Sequence, residues 1–224
     1  MQEFRESVRE LVKKIRSLEK DKELQEERKL PSGCYFLESD EILSYRTEKG
    51  DARHPYAHDG LTLWAYASGG VKLEESIFNI LLPAWEAKEP YLAFFAGIKT
   101  GEKYFPVSML GTARQPIETD TKRYTVFTPY AAYYFTETKE VITCVRMLVD
   151  DGKRLRISLY IENVSTEPLD TYLSSYMNFF LRQCEGEGFE DKWYKSCEAT
   201  DYGYLMRTTE YLGRGNCFTH HAAI

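Results

Sequence analysis

The chain has 224 residues, with 35 acidic against 29 basic side chains, a formal net charge of −6, and 17 Tyr, 12 Phe and 3 Trp. This length is enough to bury an ample core in one large domain, and the acidic balance argues against a partner read through its nucleic-acid backbone. No apolar run approaches the ~18 residues of a membrane-spanning helix, and the opening MQEFRESVRE lacks the apolar core of a signal peptide, so a cytoplasmic protein is the expectation.

Residues 3 to 29 read as a helix, because Phe4, Val8, Leu11, Val12, Ile15 and Leu18 recur at the spacing of one helical face. Leu30-Pro31-Ser32-Gly33 ends it, which places a helical preface at 1–30 ahead of a β domain at 31–224. The apolar stripe needs a surface, either the sheet of the same chain or a second subunit. CYFLESDEILSYRT then gives two short strands, and residues 48 to 60 read as a loop. LTLWAYASG, VKLEESIFNILLP, YLAFFAGIK, KYFPVSML and RYTVFTPYAAYYFTE follow as further extended runs.

The clearest element spans residues 140 to 182. Val141, Thr143, Val145, Met147 and Val149 fall on one face of a strand, and Ile142, Cys144, Arg146 and Leu148 on the other. Asp150-Asp151-Gly152 marks a tight hairpin turn, after which Leu155, Ile157, Leu159 and Ile161 alternate with polar residues and Leu169 starts a third run. Residues 184 to 203 read as a polar excursion, and Tyr204 to Tyr211 as one more strand. At least eight strands at this spacing predict an all-β fold, a large two-sheet antiparallel β-sandwich (supersandwich) behind an N-terminal α-helix. The pattern still running at Phe218 and Ile224 suggests the front part of a longer protein.

The densest cluster of polar chemistry is Gly50 to Gly60, which holds Arg53, His54, Tyr56, His58 and Asp59. Three readings stand there. An Arg-centred loop binds sugar hydroxyls or an anion through bidentate hydrogen bonds, His54 and His58 join a carboxylate around a metal, or Asp51 and Asp59 merely cap backbone amides of a structured turn. Pro55 disrupts regular His spacing, so no metal is assigned. Trp64, Trp85 and Trp193 are candidates for sugar stacking, with core packing the simpler role for Trp64. No carboxylate pair stands out for acid–base catalysis, and there is no nucleophile elbow. The run from Glu185 to Asp191 reads as a solvated loop, and Gly186-Glu187-Gly188 lacks the following helix of a phosphate cradle. Cys34, Cys144, Cys184, Cys197 and Cys217 are odd in number and irregularly spaced, as reduced thiols are. No catalytic residue, metal or cofactor is therefore assigned.

GDARHPYAHDGLTLWAYASG, EPYLAFFAGIK and SLYIENVSTEPLDTYLSSYMNFF together resemble the N-terminal β-sandwich domain of inverting glycoside phosphorylases related to cellobiose phosphorylase, in the flavour acting on β-glucan oligosaccharides. The resemblance covers nearly everything after residue 33. It implies a non-catalytic domain of a glycosyltransferase-type enzyme in which inorganic phosphate is the co-substrate and the general acid lies on a C-terminal α/α barrel not contained in these residues. It also implies a homodimer, and an oligosaccharide roofed by sandwich loops, a role that would fall to Arg53, His54, Tyr56, His58 and Asp59. The competing expectation is a stand-alone carbohydrate-binding or structural sandwich; an aldose-epimerase-like enzyme would need His54, His58 and Asp59 to converge.

Overall fold

The computed structural model describes residues 2–45, 52–75, 78–81, 92–110, 121–177, 182–183, 193–201, 203–212 and 216–223. The N-terminal preface is two helices rather than the one expected over 3–29. α1 (Gln2–Lys20) carries the apolar stripe, and α2 (Lys22–Arg28) has no fully buried residue, only Leu24 packing against the core beneath α1. Asp21 separates them: its backbone is extended and its carboxylate accepts from the Leu24 amide at 3.0 Å, an N-cap that starts a new helix instead of continuing the old.

The strands in chain order are β1 (Tyr35–Glu38), β2 (Glu41–Tyr45), β3 (Arg53–His58), β4 (Leu61–Tyr66), β5 (Val71–Glu75), β6 (Phe78–Leu81), β7 (Leu92–Thr100) and β8 (Lys103–Ser108). They continue with β9 (Lys122–Phe127), β10 (Ala132–Glu137), β11 (Val141–Asp150), β12 (Arg154–Asn163) and β13 (Thr171–Met177). β14 (Arg182–Gln183), β15 (Trp193–Thr200), β16 (Gly203–Leu212) and β17 (Asn216–Ala223) complete them. β15 lies inside the stretch read as a polar excursion, which corrects that expectation.

Hydrogen bonding orders these strands as β1-β2-β9-β10-β11-β12, β14-β6-β5-β4-β3, β13-β7-β8 and β15-β16-β17, all antiparallel. The fold is thus an all-β sandwich with an N-terminal helix. The six-stranded sheet is its centre, and it is buried on both faces. Val145 and Met147 of β11, with Ala132 and Tyr134 of β10, enter a core shared with Leu63, Leu73 and Leu81 of the five-stranded sheet and Phe94 of the three-stranded one. Ile142 and Cys144 of β11, with Tyr133 and Phe135 of β10, enter a second core with Val8, Leu11, Ile15 and Leu18 of α1. The alternation along β11 is therefore apolar on both sides because each face has its own cover.

α1 is pinned by cation–π and ionic contacts as well as by its apolar stripe. Arg146 stacks over the Phe4 ring at 4.3 Å, Arg9 pairs with Glu162 at 2.7 Å, and Lys14 meets Glu10, Glu38 and Glu41 within 3.3 Å. Burial alone would lower the Lys14 ammonium, but the carboxylates outweigh it and raise its pKa. The stripe has thus found its surface within this chain.

One connection differs from the sequence reading. The β11–β12 hairpin places Asp151, Gly152 and Lys153 in the turn, with positive φ at Gly152 (74°) and Lys153 (56°), so Asp150 stays in the ladder opposite Arg154. β13 does not extend that hairpin. It pairs instead with β7, Tyr172 opposite Gly97, in another sheet.

Candidate functional site

Arg53 to His58 is a strand, not the loop expected from 48 to 60; residues 46–51, Asp51 among them, lie outside the described residues. β3 is the outer strand of its sheet, where Pro55 removes an amide the ladder can spare. Asp59 and Gly60, at φ 50° and 82°, form the two-residue turn into β4 that an Asp-Gly pair favours. The period of a strand then separates the five expected residues. Arg53 points to the outer face with Pro55, while His54 and Tyr56 point towards the core.

Each of these side chains is engaged locally. The Tyr56 hydroxyl donates to the carbonyls of Thr128 (3.0 Å) and Ala131 (2.9 Å), tying the edge strand to the six-stranded sheet. Burial, foremost, raises its pKa above the ordinary tyrosine value. The His54 ring packs between Tyr56 and Phe127, at centroid distances of 4.6 and 6.1 Å. The Arg53 guanidinium lies 5.2 Å from the Trp64 ring, and the Trp64 indole donates to Glu74 at 2.7 Å. A face covered by guanidinium is closed to a sugar. His58 stands at the hairpin tip between Asp59 (3.2 Å) and Asp151 (3.3 Å), and a Lys153–Glu75 ion pair at 2.6 Å also joins the β11–β12 turn to the neighbouring sheet. His54, His58 and Asp59 do not converge as an epimerase-like centre would need, and among the described residues no group of three His, Cys, Asp or Glu is placed to hold a metal ion.

A different surface has the properties of a ligand platform. On the outer face of the β13-β7-β8 sheet, Tyr172 lies opposite Gly97, and Gly97 opposite Pro106. Tyr104 meets Tyr172 edge-on, with centroids 5.0 Å apart and planes at 75°. The Tyr104 hydroxyl donates to Asp170 at 3.2 Å, and Lys99 sits 5.9 Å over the Tyr104 ring and 3.5 Å from the same carboxylate. Tyr176 continues the row two residues beyond Ser174. By strand rise it stands about 13 Å from Tyr172, the span of a chain of sugars rather than one. Tyr104, Tyr172 and Tyr176 are 42%, 46% and 44% exposed, the first two held by the contacts just described.

Sequence reasoning missed this row because its members come from two runs far apart in the chain. The signals present were the Tyr spacing in 171–177 and a glycine inside the strand YLAFFAGIK, a mark of close approach by another group. Trp85 and the run 185–191 lie outside the described residues, as does the side chain of Trp193.

Fold and surface together define an antiparallel β-sandwich module with an exposed tyrosine platform. Comparison with known proteins finds no match: no family model matches the chain, and neither does any curated protein or solved structure. Among the described residues no helix is long and apolar enough to cross a membrane.

Proposed function

We propose that this chain is a carbohydrate-binding β-sandwich, the non-catalytic domain of a glycoside phosphorylase acting on β-linked glucan oligosaccharides with inorganic phosphate, and that it holds the glycan on Tyr104, Tyr172 and Tyr176. The observation that carries the binding half is the row of half-exposed phenol rings on one face of this sheet, with Tyr104 and Tyr172 packed against each other. The C–H face of a pyranose is apolar and flat, and an aromatic ring matches it with little water left between them. Hydroxyls around the ring edge find donors and acceptors in Lys99, Asp170 and Ser174. The enzymatic half rests on the sequence resemblance, and the roofing role it implied for Arg53, His54, Tyr56, His58 and Asp59 passes here to the tyrosines.

The test is titration of the chain with β-1,2-, β-1,3- and β-1,4-linked gluco-oligosaccharides, read by calorimetry. At least one series should bind, and Tyr172→Ala should weaken it roughly tenfold, the worth of one aromatic contact. Binding indifferent to Tyr172 and Tyr104, or none at millimolar glycan, overturns the platform. Phosphate-dependent release of a sugar 1-phosphate by the native gene product tests the enzymatic half separately; a gene product of 26.1 kDa without that activity leaves a stand-alone binding module.

A further inference from the structure

Arg5, Arg9, Lys13, Arg16 and Lys20 recur along α1 at intervals of four, four, three and four residues. At 100° per residue these spacings confine all five to an arc of about 80°, over a length of about 22 Å. The stripe adjoins the buried apolar face, and all five residues are exposed. Below it runs a groove of about 530 Å³ between α1 and the β11–β12 edge, with Arg9, Lys13, Arg16 and Lys20 along one side and Val12, Ile142 and Val164 among its apolar lining. In a chain of net charge −6 this is a local excess of the opposite sign.

One carboxylate already sits in the groove. Glu162 takes the Arg9 guanidinium at 2.7 Å and the Tyr160 hydroxyl at 2.7 Å. Burial would raise its pKa, yet the hydrogen bonds of Tyr160 and Arg9, with the charge of Arg5, outweigh burial and lower it. Lys13, Arg16 and Lys20 have no carboxylate partner among the described residues, so three of the four cations lining the groove are left for a ligand.

We propose that this groove docks an extended acidic peptide segment of a partner protein, carboxylates on Lys13, Arg16 and Lys20 and an apolar side chain against the exposed Val164. The spread of the cations over several turns suits an extended ligand better than a single convergent anion. The lining holds no aromatic ring, so it offers a glycan nothing to stack on, while Val164, 44% exposed, gives a peptide side chain an apolar contact. The apolar face of α1 is spent on the sheet, which leaves it no hydrophobic surface to insert into a membrane.

The probe is a fluorescently labelled synthetic peptide in which glutamate alternates with leucine, measured by anisotropy against the intact chain. It should bind with an affinity that falls as salt is raised, and binding should weaken at least tenfold, ~1.4 kcal/mol, in the Lys13→Glu, Arg16→Glu, Lys20→Glu variant. A glutamate–serine peptide of the same charge should bind more weakly, because the contact with Val164 is then unused. If that variant loses its far-ultraviolet circular dichroism, the glutamine versions of the same substitutions replace it. Absence of binding, binding that survives the substitutions, or tighter binding of heparin, single-stranded DNA or phosphatidylserine vesicles than of the peptide would each overturn the proposal.

Discussion

A Cβ on Gly97 would lie 1.9 Å from Cε1 of Tyr172, so a missing side chain is what lets the phenol ring lie down on the sheet. Alanine there forces one of two outcomes, a backbone shift in β7 or a swing of the ring. The ring is half exposed and at the sheet edge, so it moves first and the cost to stability stays at or below the ~1 kcal/mol low end of overpacking. Gly97→Ala should therefore keep the thermal midpoint within a few degrees while weakening glycan binding about as much as Tyr172→Ala. An alanine variant that binds glycan like the parent would mean that the ring's seat is irrelevant to recognition. The role of Gly97 was readable only as a glycine out of place in a strand; which group approached it depended on β13 pairing with β7, which no local pattern encodes.

At the scale of elements, α1 is held by side chains whose spacing alone announced them. Val8, Leu11, Val12, Ile15 and Leu18 are all buried against the six-stranded sheet, each adding roughly 1.5–3 kcal/mol by leaving water. Ile15 is 1% exposed, and Ile15→Ala should lower the unfolding free energy by about 2–5 kcal/mol, read from urea denaturation. A loss below about 1 kcal/mol would mean that the helix melts away before the sheet and is no part of its cooperative core. The elements most legible in the sequence were those whose burial is set by their own period, α1 and the β11–β12 pair. The break at Asp21 escaped because Asp is tolerable in a helix and becomes a cap only when the chain turns. Arg53 to His58 escaped for the opposite reason: its charges and Pro55 describe an edge strand, which has no neighbour on one side and so carries little of the apolar signature of a buried one.

Across the whole molecule the buried tyrosines link both core layers to pH. Tyr45, Tyr56, Tyr124, Tyr133 and Tyr160 all have raised pKa values, with burial the largest cause in each. Glu137 and Glu19 add to the rise at Tyr124 and Tyr45, while the Arg146 guanidinium opposes it at Tyr133. In the unfolded chain these phenols ionise near pH 10. A group whose folded pKa is raised contributes stability that is complete below its unfolded value, and that contribution falls away as pH climbs through the folded one. Stability from these five should thus hold up to about pH 10 and decline above it. Four of them belong to the layer between α1 and the six-stranded sheet, and only Tyr56 to the other core, so the helix layer should fail first on the alkaline side. An alkaline titration should show part of the phenolate absorbance rising in one steep step, together with the loss of near-ultraviolet circular dichroism. Ile15→Ala should move that step to lower pH, because the weakened layer no longer holds its phenols protonated. Phenolate absorbance that climbs smoothly to completion while the dichroism persists would contradict burial of these hydroxyls, and with it the two-layer packing around the central sheet.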